Sequence, residues 1–474
     1  MKTYPLYLNG EFVTSEPAWN VVNPATGEPF AKISTIDRRR VAQALADAHA
    51  AFGGWRQLTA KARGAYLVQI AALLERRKDE IARLISSENG KPLAQSLGEI
   101  GMTVDHLQWF AEEGRRAYGR IIPPQAAGKR NLVMKTPIGV VGAISPWNFP
   151  LVLAVRKVAP ALAAGCPVVL KPARQTPLSC IAFAECAHEA RLPKGVLQVV
   201  CGQSNEIGQE FLANPLCRKV TFTGSTEVGR VLIRAAADTI KPLSLELGGN
   251  APLVVFEDAD LNVAVEGALL AKMRNTGQSC IASNRLLIHR PIYQRFLEAF
   301  VAKVKALKVG EFSEPGVEIG PLIDEAAFKH AMALLEDAVK RGARTLCGGG
   351  RIQRKGFFME ATVLADVPAD SACLHEEIFA PIAPVTAFDT EEEAIKLANA
   401  TPFGLSAYAF TRDVNRVFRL AESLEAGMLG INDGLPTTSN APFGGVKQSG
   451  WGRELGSEGL DAFLETKHIS LGIS

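Results

Sequence analysis

From Val140 onward, short apolar runs alternate with segments of helical spacing, and that rhythm leaves few architectures open. Residues 140–144, 168–170, 196–200 and 219–223 have strand length and β-branched content. Residues 150–162, 179–190 and a stretch opened by Ser225 fall between or after them as helices. Such alternation builds a parallel sheet with helices on both faces, whose strands are apolar throughout. A second series starts at residues 253–256, with helices expected over 261–272, 292–307, 325–340 and 391–400. Ahead of both, Leu6-Tyr7-Leu8 and Glu11-Phe12-Val13 flank Asn9-Gly10, a pair that tolerates the positive φ angles of a tight hairpin. Apolar spacings of three and four then run from Val41 to Ala48 and from Leu67 to Ile85, predicting helix.

A chain of 474 residues exceeds one simple domain, so two or three domains sharing a large core are expected. The balance of 52 basic and 49 acidic residues gives a net charge of +3, which offers no reason to expect nucleic acid or an anionic membrane as partner. The first twelve residues lack the long apolar core of a secretory signal. The most apolar stretch, 138–170, is interrupted by Pro146, Asn148, Pro150, Arg156, Lys157 and Pro160, and reads as buried core rather than a span of about 20 apolar residues. Eight cysteines without a Cys-x-x-Cys pair suggest neither a disulfide framework nor a zinc site, and fit a reducing cytoplasm. His375-Glu376-Glu377 lacks the second histidine of a zincin motif, so no metal is expected.

Most cysteines pack as small hydrophobes, and Cys166 and Cys201 sit in contexts that suit this. Cys280 differs: Asn275-Thr276-Gly277-Gln278-Ser279 precedes it and Ser283-Asn284 follows closely. Polar flanks suit a partly exposed thiolate whose backbone N–H groups also serve an oxyanion. Glu246, in Ser244-Leu245-Glu246-Leu247-Gly248-Gly249, is either a salt-bridged carboxylate at a strand end or a general base whose pKa is raised by burial. The two glycines after Leu247 allow a close approach of chain or substrate. Phe222-Thr223-Gly224-Ser225-Thr226 follows a strand and opens a helix, whose free N–H groups could hold a pyrophosphate or simply close a turn. Val168-Val169-Leu170-Lys171-Pro172-Ala173 ends another strand with a cation, where a nucleotide could sit.

Taken in order, Pro146-Trp147-Asn148-Phe149-Pro150, Lys171-Pro172-Ala173, Phe222-Thr223-Gly224-Ser225-Thr226, Glu246-Leu247-Gly248-Gly249, Gly277-Gln278-Ser279-Cys280, Glu376-Glu377-Ile378-Phe379 and Pro442-Phe443-Gly444-Gly445 resemble the motifs of the aldehyde dehydrogenase superfamily, over essentially the whole chain. The resemblance implies an α/β fold with a Rossmann-type cofactor domain (1–117 and 138–248), a catalytic domain (249–447) and a small oligomerisation element (118–137 and 455–474) in a homodimer or homotetramer. It implies Cys280 as nucleophile, Asn148 as oxyanion donor, Glu246 as the base that activates water, and Lys157 with Glu454 as a proton relay. Trp147, Lys171, Ala173, Arg174, Gly224, Ser225, Leu247, Glu377 and Phe379 would meet the cofactor.

Arg274-Asn275-Thr276-Gly277, Ile319-Gly320-Pro321-Leu322 and Gly444-Gly445-Val446-Lys447-Gln448-Ser449-Gly450 are most similar to the succinate-semialdehyde dehydrogenases of that superfamily. There Arg156 and Arg274 match two arginines that grip the distal carboxylate, for which a planar guanidinium is suited. Thr437 stands where that subgroup has a serine, Ala282 where some relatives carry a second cysteine, and Ala380 where many have glycine. Arg174 stands where NAD-selective relatives place a glutamate, and its charge would attract a 2′-phosphate, so NADP is the expected cofactor with NAD as the alternative. Other semialdehydes (2-oxoglutarate or glutarate semialdehyde) and neutral aldehydes are the alternative substrates. Acyl transfer to CoA, or a non-catalytic binding role, fits less well with the retained Glu246.

Overall fold

A computed structural model of the chain describes residues 1–473. The hairpin forms as the sequence predicts: Leu6–Leu8 pairs antiparallel with Glu11–Val13, and Asn9 and Gly10 both take positive φ (47° and 81°). It extends an eight-stranded sheet ordered Glu11–Val13, Leu6–Leu8, Leu197–Val199, Val168–Lys171, Val140–Ile144, Cys217–Thr223, Leu243–Glu246, Gly450–Trp451. The five central strands are parallel, and the outer pairings are antiparallel. From Val140–Ile144 the chain winds outward through Val168–Lys171 to Leu197–Val199. It then returns to the other side of Val140–Ile144 for Cys217–Thr223 and Leu243–Glu246. This order places a topological switch point between Val140–Ile144 and Cys217–Thr223, and ligands of doubly wound sheets bind in the crevice beyond the strand ends there.

The second series forms a seven-stranded sheet: Arg344–Cys347, Thr362–Ala365, Ile382–Phe388, Ser283–His289, Ala251–Val255, Ser406–Phe410, Met428–Ile431, parallel except for its first pair. Only residues 247–250 link Leu243–Glu246 of the first sheet to Ala251–Val255 of the second. The carboxyl ends of the first sheet's strands therefore lie close to the amino ends of the second's, and Asn148, Glu246, Cys280 and Glu377 fall at that seam. The strand interiors are fully buried, as strands covered on both faces must be. Lys129–Pro137 pairs along its whole length with Leu464–Gly472, and Arg120–Ile122 lies on its other edge, forming a separate three-stranded sheet.

Two features depart from the periodicity. The continuous spacing from Leu67 to Ile85 covers two helices, Ala60–Arg76 and Lys78–Asn89, broken at Arg77, whose φ and ψ of −100° and 13° leave the helical region. Arg77 bonds Glu80 and Glu185 there. A further helix, Leu93–Glu113, buries Glu99, Thr103 and His106 among its apolar residues. Among the described residues no helix is long and apolar enough to cross a membrane.

Candidate active site

At the switch point lies a cavity of about 210 Å³ lined by Pro146, Trp147, Asn148, Thr223, Gly224, Ser225, Leu247, Gly248, Cys280, Glu377 and Phe379. Trp147 and Asn148 come from the loop after Val140–Ile144. Gly224 and Ser225 come from the turn after Cys217–Thr223, where the Ser225 hydroxyl caps helix Thr226–Ala236 by accepting from the Val228 N–H. Glu377 accepts a hydrogen bond from the Gly249 N–H at 3.1 Å, and burial raises its pKa to about 8. Phe379 holds a left-handed φ of 49° and meets Trp147 edge-on at 5.5 Å between ring centroids. A β-branched or aromatic residue takes such a φ only where its surroundings enforce it. At Gly248 a Cβ would stand 3.1 Å from Glu377 Oε2 and 3.3 Å from Thr226 Oγ1, narrowing the cradle. An open-ended cleft at a switch point, with a capped helix end, suits a dinucleotide.

Cys280 is placed by three consecutive left-handed residues, Asn275 (φ 52°), Thr276 (58°) and Gly277 (72°), which turn the chain between helix Leu261–Met273 and strand Ser283–His289. Gly277 is obligatory, since a Cβ there would lie 2.2 Å from the Ala380 carbonyl oxygen. A Cβ on Gly249 would lie 2.3 Å from the Cys280 carbonyl oxygen, so that glycine provides the close approach its sequence context suggests. Burial, with the charge of Glu377 beside it, raises the Cys280 thiol pKa to about 12 against the opposing charge of Arg156. Cys280 is half-buried and is the one cysteine lining either cavity at this seam. Asn148 is buried and its side-chain N–H donates to the Gln278 carbonyl at 3.1 Å, leaving a second N–H for another acceptor.

Glu246 ends its strand beside Thr223, in register. It is buried, its Oε2 has no hydrogen-bond partner, and its pKa stands well above the carboxylate range, chiefly through burial and then through the charge of Glu454. Lys157 Nζ donates to Thr223 Oγ1 at 2.6 Å and is ion-paired with Glu454, both side chains buried. A buried cation and two buried carboxylates thus lie close together beside the cavity.

Cys280 also lines a narrow pocket of about 30 Å³ with Met102, Phe149, Arg156, Arg274, Thr437 and Phe443. Met102 and Arg274 are shared with a wider cavity of about 1000 Å³. Arg156 is buried and Arg274 half-buried, and neither has a carboxylate within 4.0 Å among the described residues. Arg156 lies over the Phe443 ring at 4.4 Å and Arg274 over Phe149 at 4.8 Å. Arg156 Nε and Thr437 Oγ1 are both buried without a hydrogen-bond partner.

Lys171, Ala173 and Arg174 lie apart from these cavities. Lys171 is buried and donates to the Pro172 carbonyl at 3.2 Å, while the exposed Arg174 stacks on Trp19 at 4.6 Å. Sequence reasoning gave no role to Met102, Phe149, Phe443 and Trp19, since apolar lining carries no chemical signature, nor to Thr223, whose hydroxyl accepts from Lys157. Among the described residues no group of three or more His, Cys, Asp or Glu could hold a metal ion.

The family model for the aldehyde dehydrogenase family matches residues 12–469. The chain belongs to the aldehyde dehydrogenase family. A 3-sulfolactaldehyde dehydrogenase of Pseudomonas putida is 47% identical over 98% of this chain and 96% of its own. An NADP(+) succinate-semialdehyde dehydrogenase of Escherichia coli is 47% identical over 98% and 97%. The solved structure of a succinate-semialdehyde dehydrogenase from Burkholderia pseudomallei superposes with a TM-score of 0.98, at 47% identity over 99% of this chain and 98% of that one. This aldehyde dehydrogenase therefore has the family's α/β fold and oxidises an aldehyde with NAD(P). Ala282 is buried two residues beyond the thiol, so no cysteine stands there to pair with it. The Ala380 side chain is buried in the core against which Gly277 packs.

Proposed function

We propose that this aldehyde dehydrogenase acts on a short aldehyde bearing an anionic group at its far end, succinate semialdehyde above all, with NADP as oxidant. The observation that carries this reading is the pair of guanidinium groups, Arg156 and Arg274, with no acidic partner in the pocket that ends at Cys280. An uncompensated buried cation is costly, so two in one pocket imply an anion supplied by the ligand. The unpartnered Thr437 hydroxyl offers that anion a further donor. A sulfonate or a glutarate-length carboxylate satisfies the same groups, and the named activity of the Pseudomonas putida relative favours keeping the sulfonate as a second reading.

In the reaction Cys280 Sγ bonds to the aldehyde carbon as its thiol proton passes to solvent water in the cavity. The carbonyl oxygen takes the charge and is held by the free Asn148 N–H and the Cys280 backbone N–H. NAD(P), when bound against Trp147, Gly224, Ser225, Leu247, Glu377 and Phe379, supplies the hydride acceptor. A thioester remains on Cys280. Glu246 takes a proton from water, the hydroxide displaces Sγ, and the acid leaves; Lys157 and Glu454 carry the proton away from Glu246. Water access to an ionised Glu246 separates this outcome from acyl transfer to CoA, which needs no such base.

Arg156→Ala or Arg274→Ala is expected to raise KM for succinate semialdehyde about 10- to 100-fold, the worth of a charge-assisted pair, while KM for butanal barely moves. Steady-state kinetics on the two aldehydes checks this, and equal losses on both would identify structural arginines. For the cofactor, Arg174→Glu is expected to shift the NADP/NAD ratio of kcat/KM toward NAD by about one to two decades, because attraction for a 2′-phosphate becomes repulsion. An unchanged ratio would mean that Arg174 stays on Trp19 and never meets the cofactor.

Exposed Ile121, Met134, Ile469 and Leu471 on the three-stranded sheet, Tyr118 just ahead of it, and Val228 and Val231 on helix Thr226–Ala236 support a homodimer or homotetramer. Eight unpaired cysteines suit the reducing cytoplasm.

A further inference from the structure

Lys91 and Glu99 form a salt bridge, Nζ to Oε2 at 2.7 Å, with both side chains fully buried. Removing two charges from water is expensive, and apolar residues of similar volume often serve stability as well or better. What this pair contacts suggests a role beyond stability. Lys91 Nζ also donates to the backbone carbonyl of Asn148 at 2.7 Å and lies over the Phe149 ring at 3.9 Å. The second oxygen of Glu99 accepts from the N–H groups of Leu151 (2.9 Å) and Val152 (3.2 Å). Those amides open helix Val152–Ala164, which has no side-chain cap from its own N-cap residue, and that helix carries Arg156 and Lys157. The neighbouring Asn89 donates to the Trp147 carbonyl at 3.0 Å, and Asn275, from the loop before Cys280, donates to the same Asn148 carbonyl at 2.8 Å.

The loop from strand Val140–Ile144 to that helix has no ladder of its own, so these contacts fix the main chain at Asn148. We propose that Lys91 and Glu99 are positioning residues for the oxyanion site: Lys91 holds the Asn148 main chain so that its side-chain amide stays aimed at the oxygen on the carbon bonded to Cys280, and Glu99 holds Lys91 and the start of the helix bearing Arg156 and Lys157. This rests on Asn148 acting as the oxyanion donor. A displacement of an ångström at such a donor costs about 100-fold in rate.

The test is the pre-steady-state burst of reduced cofactor with butanal, a neutral aldehyde that keeps anion recognition out of the result. Lys91→Met is expected to slow the burst about 10- to 100-fold, with aldehyde KM and cofactor affinity little changed. Lys91→Gln, which keeps a donor for the Asn148 carbonyl, is expected to recover most of that loss. The charge-free Lys91→Met/Glu99→Leu double variant is expected to regain thermal stability without regaining the burst. A wild-type burst in the double variant, or equal bursts in Lys91→Met and Lys91→Gln, would overturn the proposal and leave a purely structural pair. Should the double variant fail to fold, the Met and Gln comparison decides. Asn148→Ala is the reference: a wild-type burst there would remove the oxyanion reading itself.

Discussion

Cys280→Ala is expected to lower the rate of reduced-cofactor formation by about four orders of magnitude or more, because removing a covalent nucleophile removes the pathway rather than weakening it. The fold gives no substitute. Cys166, Cys180, Cys186, Cys201, Cys217 and Cys373 are buried elsewhere, and the half-buried Cys347 pairs its strand at the far edge of the second sheet. The truncation removes one sulfur from a side chain already facing two cavities, so little packing is lost and the melting temperature should stay close to that of the parent. Cofactor affinity, read by fluorescence titration, should also persist, since the remaining lining of the 210 Å³ cavity is untouched. A purified variant that still oxidises aldehyde at a substantial rate would disprove the assignment of the nucleophile. A variant that unfolds would instead indicate that Cys280 packs more tightly than its exposure suggests.

The sheet architecture was legible because strands buried on both faces must be apolar along their whole length, and the runs at 140–144 and 168–170 are. The hairpin was legible because Asn9-Gly10 supplies two positive φ angles in sequence. The break at Arg77 was not, since a one-residue interruption leaves the spacing of three and four almost unchanged. In the sequence Cys280 stands out by its polar flanks and Glu246 by its apolar context, whereas Asn148 is carried by the family resemblance alone. What sequence could not reveal is partnership. Arg156 and Arg274 gain their meaning from the carboxylates they lack, a fact of three dimensions. Lys91 and Glu99 carry no chemical signature in the sequence, yet the fold buries both and sets them behind Asn148, 57 positions from Lys91. Arg174, expected at a ribose, stacks on Trp19 from the amino-terminal segment, a contact no local pattern announces.

Glu246→Gln should separate the two halves of the reaction. Hydride leaves before water is needed, so the variant is expected to release one equivalent of reduced cofactor in a burst and then stall as the Cys280 thioester. Its steady-state rate should fall about 10²- to 10⁴-fold, the usual worth of a general base. Mass spectrometry of the quenched enzyme would find the acyl group on Cys280. The pH dependence gives an independent check. Burial, reinforced by Glu454, holds the Glu246 pKa well above the carboxylate range, so its basic form grows as pH rises through that elevated value. Wild-type turnover should therefore climb with pH above the range in which ordinary carboxylates titrate, and the glutamine variant should lose that limb. Stability runs the other way. A carboxyl whose folded pKa is raised binds its proton more tightly in the folded state, so folding stability declines as pH rises from the unfolded value toward the folded one. Glutamine carries no such penalty and keeps an acceptor and the shape, so the variant should melt higher than the parent above neutral pH and show no such gain near pH 4 (about the unfolded carboxylate value). Steady turnover at the parental rate, with no trapped acyl-enzyme, would assign water activation to another group, and Glu454, with its own unpartnered buried oxygen, would be the next to replace.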